Sequence, residues 1–580
     1  MANIMSLKSL RNKTSRNGFD LSSKRNFTAK AGELLPVKTW EVLPGDTFKI
    51  DLKTFTRTQP LNTAAFARMR EYYDFYFVPY DLLWNKANTV LTQMYDNPQH
   101  AISFDPTVNF ILSGDMPYLT CRQIANYLNG VANDIPDDSV KNYFGYNRGL
   151  LSAKLLEILG YGNFLYYAEN STNTWATMPL KNNLQLNLFG LLAYQKIYAD
   201  FYRDSQWEKI SPSTFNVDYM DGHSMNLDIS GSVRFSENYN MFDLRYCNWQ
   251  KDLFHGVVPR AQYGDVAMVN LISPVRADGL DVAVSSVISS TSFSNIKLIS
   301  GSAPAGSALY SSTSLSVLAL RQAEFLQKWK EITQSGNKDY KEQVEKHWNV
   351  SPGDGFSEMC TYLGGISSSM DINEVVNNNI TGNNAADIAG KGTGVSNGVI
   401  NFNSQGRYGL VMCIYHCLPL IDYTTDMVSP IFTKVNSADY AIPEFDRIGM
   451  QHVPMAYIAN PLLNEFGEVV IDHLGFAPRY IEYKTDVDSS VGAFKTSLNS
   501  WVISFNNKSL KDQIGNVDSG NQPVPSTAPL NYTMFKVNPN SLNSIFAVNV
   551  DSTVDTDQFL CSSFFDVKVV RNLDTDGLPY

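Results

Sequence analysis

A run of aromatic residues, REYYDFYFVPYDLLW from Arg70 to Trp84, constrains this chain more than any other stretch: seven of its fifteen positions are Tyr, Phe or Trp. Read with a period of two, Tyr73, Phe75 and Phe77 share one face, and Tyr72, Tyr76 and Val78 share the other. Both faces are apolar or aromatic, which predicts a strand covered on both sides. Pro79 has no N–H to give a ladder, so the strand is expected to stop there. Asp81 can then cap a helix with an inward stripe of Leu83, Ala87, Val90 and Met94. Just upstream, Asn62 to Arg70 reads as a short helix.

Other segments add strands at long intervals. Thr47 to Lys53 alternates strictly, with Phe48, Ile50 and Leu52 opposed to Thr47, Lys49, Asp51 and Lys53, the pattern of a half-buried strand. Tyr408 to Leu418 is a nearly continuous apolar run, Trp501, Ile503 and Phe505 alternate, and Phe564 to Val570 reads as a closing strand. Between about residues 81 and 204 the pattern is helical. Thr120 can cap CRQIANYLN, Leu151, Leu155 and Ile158 stripe a helix closed by Gly160, and Leu191, Tyr194, Tyr198 and Phe201 stripe another. LRQAEFLQKWKEI and DYKEQVEKHW form a later helical pair. A Ser-rich stretch at about 270–316 and a Gly/Asn-rich one at about 377–405 read as loops.

Strands far apart in sequence, joined by long and partly helical excursions, suit Greek-key sandwiches and jelly rolls. A propeller or solenoid would show repeats, and a parallel α/β fold would alternate strand with helix regularly. The fold class expected is therefore mainly β, as one domain from residue 34 to 580 that carries these insertions.

Charge divides the chain. Residues 1–30 hold seven cations against Asp20 alone, a net +6, which leaves −17 on the remaining residues of a chain whose total is −11. Residues 1–33 therefore read as a basic, flexible N-terminal arm. Such an arm either meets an anion or simply keeps the terminus soluble. Lys8, Arg11, Lys13, Arg16, Lys24 and Arg25 are its candidate nucleic-acid-binding residues. The composition, 44% hydrophobic and 12% aromatic with only 18% charged, suits a subunit that buries much surface against neighbours. No apolar run is long enough to span a membrane, and the N-terminal residues lack the apolar core of a secretory signal. The six cysteines are mostly far apart, which predicts reduced thiols.

Cys413, His416 and Cys417 lie within five residues, but on a strand the two thiols share a face that the imidazole does not, and no second ligand pair completes four. Gly390-Lys391-Gly392-Thr393-Gly394 lacks the order and flanking elements of a phosphate loop. His452 and His473, near Glu465 and Asp472, could be assembled into an acid–base site only as readily as any loop of that size. No enzymatic activity, metal or cofactor is expected.

Several of these segments carry a resemblance. DFYFVPYDLLW, with GDTFKIDLKTFTRT and LNTAAFARMR before it, resembles the N-terminal signature of Microviridae major capsid proteins. LRYCNWQKDLFHGVVPRAQYGD is similar to that family's WQKD segment, at Trp249, Gln250, Lys251 and Asp252. The helical pair, TYLGGISSSMDINEV, EFDRIGMQHVP, LGFAPRYIEYKTDVDSSVGAFK and QFLCSSFFDVKVVRNLDTDGLPY follow in the family's order. The wording is nearer to gokushoviruses and Bacteroidetes-associated microviruses than to the enterobacterial branch. The resemblance implies a single eight-stranded antiparallel jelly roll assembling into a T=1 icosahedral shell in the bacterial host cytoplasm. It further implies packaged single-stranded DNA, a small basic DNA-packaging protein, a minor or pilot capsid protein, and a host-envelope receptor met by surface loops. The competing expectation is a β-sandwich carbohydrate-binding or carbohydrate-active protein, which would pair carboxylates in an aromatic cleft.

Overall fold

A computed structural model describes residues 15–61, 65–92, 116–131, 148–164, 184–220, 241–262, 317–337, 339–376, 388–404, 406–447, 449–458, 462–463, 469–471, 473–506, 509, 532–546, 550–551, 554–555 and 557–575. The Ser-rich stretch and the first three arm cations, Lys8, Arg11 and Lys13, lie outside them. The chain packs as two compact units, Met1–Ala261 with Glu358–Tyr580, and Gln262–Ser357.

The larger unit is built on nine strands: β1 (Asn17–Asp20), β2 (Ser23–Ala29), β3 (Leu35–Val42), β4 (Thr47–Thr58), β5 (Arg68–Pro79), β6 (Thr361–Val376), β7 (Ile388–Asn403), β8 (Gly409–Leu420) and β9 (Phe559–Arg571). They pair in the order β1-β9-β4-β7-β6-β5-β8-β3, with β2 also on β9. Every pairing between them is antiparallel. β6 is the corner: Thr361 to Met370 pairs with β5, and Asp371 to Val376 pairs with β7. One strand thus serves both halves, and the sheet turns back on itself there.

The halves pack face to face. Trp40 of β3 meets the edge of Phe565 of β9 at 5.4 Å, and Phe77 of β5 lies 4.7 Å from Phe402 of β7. Ser563 of β9 hydrogen-bonds the Tyr73 hydroxyl of β5 at 3.0 Å. Phe48, Ile50 and Leu52 of β4 fill the same interior, as their alternation predicts.

Three sequence expectations are corrected. The aromatic strand starts at Arg68, so Asn62 to Arg70 is not a helix where it is described; Arg68 and Met69 already pair with Leu420 and Pro419. The supposed Gly/Asn loop is, from Ile388, the sixteen-residue strand β7. Its glycines make room: a Cβ at Gly392 would lie 2.6 Å from Thr58, at Gly394 2.9 Å from Glu71 Oε1, and at Gly398 2.7 Å from Ile366. Glycine here marks close approach of opposing side chains rather than a turn. The arm, finally, enters the sheet from Asn17 to Ala29. Arg25, Phe27 and Ala29 alternate with Lys24, Asn26 and Thr28, a two-residue period that polar content hides.

Among the described residues of the larger unit, helices cover one half only. They are α1 (Ala87–Thr92), α2 (Cys121–Val131), α3 (Arg148–Leu159) and α4 (Phe189–Ile197). α2 begins in a reciprocal cap, Thr120 Oγ1 accepting from Gln123 N–H and Gln123 Oε1 from Thr120 N–H. α3 ends at Gly160, whose φ of +97° favours glycine. α4 lies on β5 and β8: Phe189 stacks on Tyr80 at 4.5 Å, and the Tyr194 hydroxyl donates to Leu34 O. Covered on both sides, β8 is buried from Gly409 to Cys417. A smaller apolar cluster of Leu253, Phe254, Tyr423, Val453, Leu474, Phe505 and Phe535 adjoins this core. In the second unit α5 (Val317–Gln334) pairs with α6 (Tyr340–Trp348), His347 stacking on Trp329 and reaching Thr333 at 3.1 Å.

Glu71 of β5 faces the sandwich interior and is fully buried, with Ser368 donating to Oε1 at 2.8 Å. Burial pushes its carboxyl up, while the Ser368 and Thr56 hydroxyls oppose the shift. A carboxyl raised on folding weakens stability as pH climbs from its unfolded value, near 4.3, through its folded one. Glu71→Gln should therefore stabilise the fold at pH 7 by about 1–3 kcal/mol. Melting curves of both proteins should converge below about pH 4; equal melting at every pH would show that Glu71 is not strained.

Candidate nucleic-acid interface

The outer face of β2, β9, β4 and β7 carries no helix among the described residues, so its alternate side chains meet solvent. Antiparallel partners point the same way, and the register therefore fixes which side chains sit side by side. One row reads Lys24, Phe564, Lys53 and Asn397 across the four strands. The next reads Asn26, Ser562, Phe55 and Val395, and the third Thr28, Leu560, Arg57 and Thr393. Lys49 follows further along β4, opposite Lys568 of β9.

Cations and rings interleave on this face. Phe55 and Phe564 are 39% and 42% exposed, and the Arg57 guanidinium sits 4.9 Å from the Phe55 ring centre. A shallow depression between β2 and β4 is lined by Lys24, Asn26, Thr28, Phe55, Arg57 and Leu560, among others. Lys24, Lys49, Lys53 and Arg57 form no ion pair with described residues, whereas Lys568 is held by Asp20 and Asp566. Asp51 and Asp566 face each other on the same side, between the Lys53 and Lys49 rows; lysines and arginines that are not held in ion pairs still attract phosphates, and exposed rings offer stacking surfaces to bases.

The six arm cations separate. Arg16 donates to Gly45 O at 2.6 Å, at the turn before β4. Arg25 points away from the open face and donates to Ile158 O at 2.8 Å, at the C-terminus of α3, where the helix dipole favours a cation. Lys24 alone among the described three stands on the open face without such an anchor. Lys49, Lys53, Arg57, Phe55 and Phe564 were not singled out from sequence for this role. Their signal was the polar side of the β4 alternation, but β9 supplies Phe564 from some five hundred residues away.

The other clusters are closed. Tyr423 donates to Asp252 Oδ2 at 2.7 Å and lies 2.6 Å from His255 Nδ1, while Asp252 Oδ1 accepts from the backbone of Phe254 and His255. Burial acts to raise the Asp252 carboxyl, yet the His255 imidazole beside it, the His255 backbone N–H and the Tyr423 hydroxyl hold it below its ordinary range. The WQKD segment thus builds a turn under an aromatic cluster. His416 shares the helix-covered face with Asp74, 3.8 Å away, and stacks on Tyr72; burial pushes its imidazole down to about 3. Cys413 and Cys417 point the other way, into the sandwich. His452 and His473 pack edge to face at 4.7 Å; Glu465 and Asp472 lie outside the described residues. All six cysteines are buried free thiols.

The described residues thus define a two-half antiparallel β-protein with cations and rings interleaved on one open face. Comparison with known proteins identifies which kind. The profile of the capsid protein (F protein) family of phages matches residues 8–145 and 166–580. The chain belongs to this family, that of the Microviridae capsid proteins. It is 22% identical to capsid protein VP1 of Chlamydia phage 1, over 97% of this chain and 95% of that protein. It is 24% identical to capsid protein VP1 of Bdellovibrio phage phiMH2K, over 84% and 85% of the two chains.

The two neighbours Lys24 and Arg25 should behave differently. Arg25→Ala removes the α3 carbonyl contacts and should cost about 0.3–1 kcal/mol in thermal unfolding, whereas Lys24→Ala should leave melting unchanged. Equal losses would place Lys24 in the fold as well.

Proposed function

We propose that this major capsid protein of a small single-stranded DNA phage closes, with further copies of itself, into a T=1 icosahedral shell whose jelly-roll subunits present the open sheet face to the packaged strand. The observation that carries the reading is the family match along nearly the whole chain, residues 8–145 and 166–580. Strand order supports the jelly roll: the halves run β2-β9-β4-β7 and β3-β8-β5-β6, which is the connectivity of two interleaved Greek keys, with β1 extending one edge. The subunit is structural and non-catalytic. It resides in the virion after assembly in the bacterial cytoplasm.

The body is acidic and the genome is a polyanion, so contact needs a local cationic surface. Lys24, Lys49, Lys53 and Arg57 supply one, with Lys8, Arg11, Lys13 and Arg16 of the N-terminal segment beside it in sequence. A small basic packaging protein would neutralise the remaining phosphates, and a minor or pilot protein completes the particle. Surface loops meet the host-envelope receptor.

Sedimentation and electron microscopy of the chain co-expressed with its phage partners should find it in closed particles that hold DNA. A stable monomer that never enters particles would overturn the shell.

DNA contact has a separate readout. Each phosphate neutralised on a single strand contributes about −0.7 to the slope of log K against log salt. Lys24→Gln, Lys53→Gln and Arg57→Gln together should flatten the slope for oligo-dT by roughly 2. Phe55→Ala should weaken binding by about 1–3 kcal/mol with the slope intact. A slope unmoved by the triple substitution would remove this face from DNA binding.

A further inference from the structure

The segment from Val428 to Phe445 reverses the usual order of inside and outside. Val435 is 91% exposed, Phe432 81% and Ile431 72%, while the Lys434 side chain between them is only 7% exposed. Its ammonium lies 3.4 Å from the centre of the Tyr483 ring and 3.6 Å from Glu482 Oε1. A chain that needed only solubility would turn Lys434 out and Val435 in.

The segment is nonetheless well fixed. Val435 and Asn436 both donate backbone N–H groups to Asp439 Oδ2, at 3.0 and 2.8 Å. The Thr433 hydroxyl donates to Pro430 O at 2.8 Å, and Val428 N–H ties the base of the segment to Ala456 O. Lys484 pairs with Asp446 at the far end. Three short 3-10 turns, Pro430–Thr433, Ser437–Asp439 and Pro443–Phe445, therefore hold apolar side chains outward on a preformed ledge.

We infer that this ledge, Ile431, Phe432, Val435, Tyr440, Phe445 and Tyr483, is a docking surface for a second copy of this chain. The inference rests on the shell reading and adds where one contact lies. Three observations favour a copy over another partner. Side chains of this size, at these exposures, present on the order of 700 Å² of surface, close to one partner's share of a standard interface of roughly 800 Å². Glu444, Asp446, Arg447 and Lys484, next to Phe445 and Tyr483 in sequence, are exposed and carry both signs, as at the rim of a protein–protein contact and unlike a surface for a polyanion. And a shell protein meets copies of itself in fixed geometry, which rewards a preformed ledge over an adaptable one.

The test is the full-length chain carrying Phe432→Asp with Val435→Asp, compared with the parent and with Phe432→Leu. Expected is an isolated double variant that melts like the parent, binds oligo-dT like the parent, and yields about tenfold fewer closed particles or worse, with Phe432→Leu assembling normally. Particles from the double variant at parental yield would overturn the inference and leave the shell reading intact. Normal particles that no longer adsorb to host cells would overturn it in favour of a host partner. A large drop in melting temperature of the isolated double variant would overturn it by showing that the ledge is covered within its own chain. A parent that forms no particles defeats the shell reading instead; analytical ultracentrifugation then decides, parental self-association lost in the double variant supporting the ledge and equal sedimentation overturning it.

Discussion

The structure depends on two half-sheets being able to approach face to face across one shared corner strand. β6 gives its first part to β5 and its second to β7, so neither half exists without the other. Closure then sets what each position must be. Trp40 needs Phe565, Tyr73 needs Ser563, and β7 must carry glycine where Thr58, Glu71 and Ile366 project toward it. The interior admits even a buried carboxyl at Glu71, held by Ser368 and disfavoured in its charged form.

Coverage is the second constraint, and it separates the two outer faces. Over β3, β8 and β5 the helical insertion supplies Tyr80, Phe189 and Tyr194, which is why β8 reads as an unbroken apolar run. That face also pairs its polar groups: Tyr202 and the half-exposed Tyr362 both donate to Asp74, and Tyr76 donates to Tyr202. Among the described residues the other outer face has no such cover, and β4 and β9 alternate cleanly there.

This difference explains how much was legible in the sequence. The strand of the aromatic run, the β4 alternation, the Thr120 cap and the Gly160 terminus are local patterns, and they fold as read; Asp81, by contrast, caps no helix and pairs with Arg407, and α1 starts only at Ala87. Misreadings arose where a distant partner decides. Gly392, Gly394 and Gly398 look like loop residues until strands at residues 58, 71 and 366 are laid against them. Ser23 to Ala29 looks like a soluble arm until β9, at the other end of the chain, offers it an edge. The candidate site suffered the same way. Lys24 could be picked out by charge alone, but the row Lys24, Phe564, Lys53 joins three parts of the chain that only pairing brings together. Arg25, next in sequence, belongs to the helix end instead.

A strand's alternation has a consequence for how one small fold serves several masters. Each β4 residue that faces inward must satisfy a packed interior, so Phe48, Ile50 and Leu52 have little freedom. Each one that faces outward is free of that demand, and the cations Lys49, Lys53 and Arg57 occupy those positions with no ion pair among the described residues. The same division operates at Lys434 and Val435, with the sign reversed: the charge is folded inward against Tyr483 and Glu482, and the apolar side chain is left outside. In a monomer both surfaces would be liabilities, one through unneutralised charge and one through exposed apolar area. In the shell proposed above they would become compatible, with a polyanion against one surface and protein against the other.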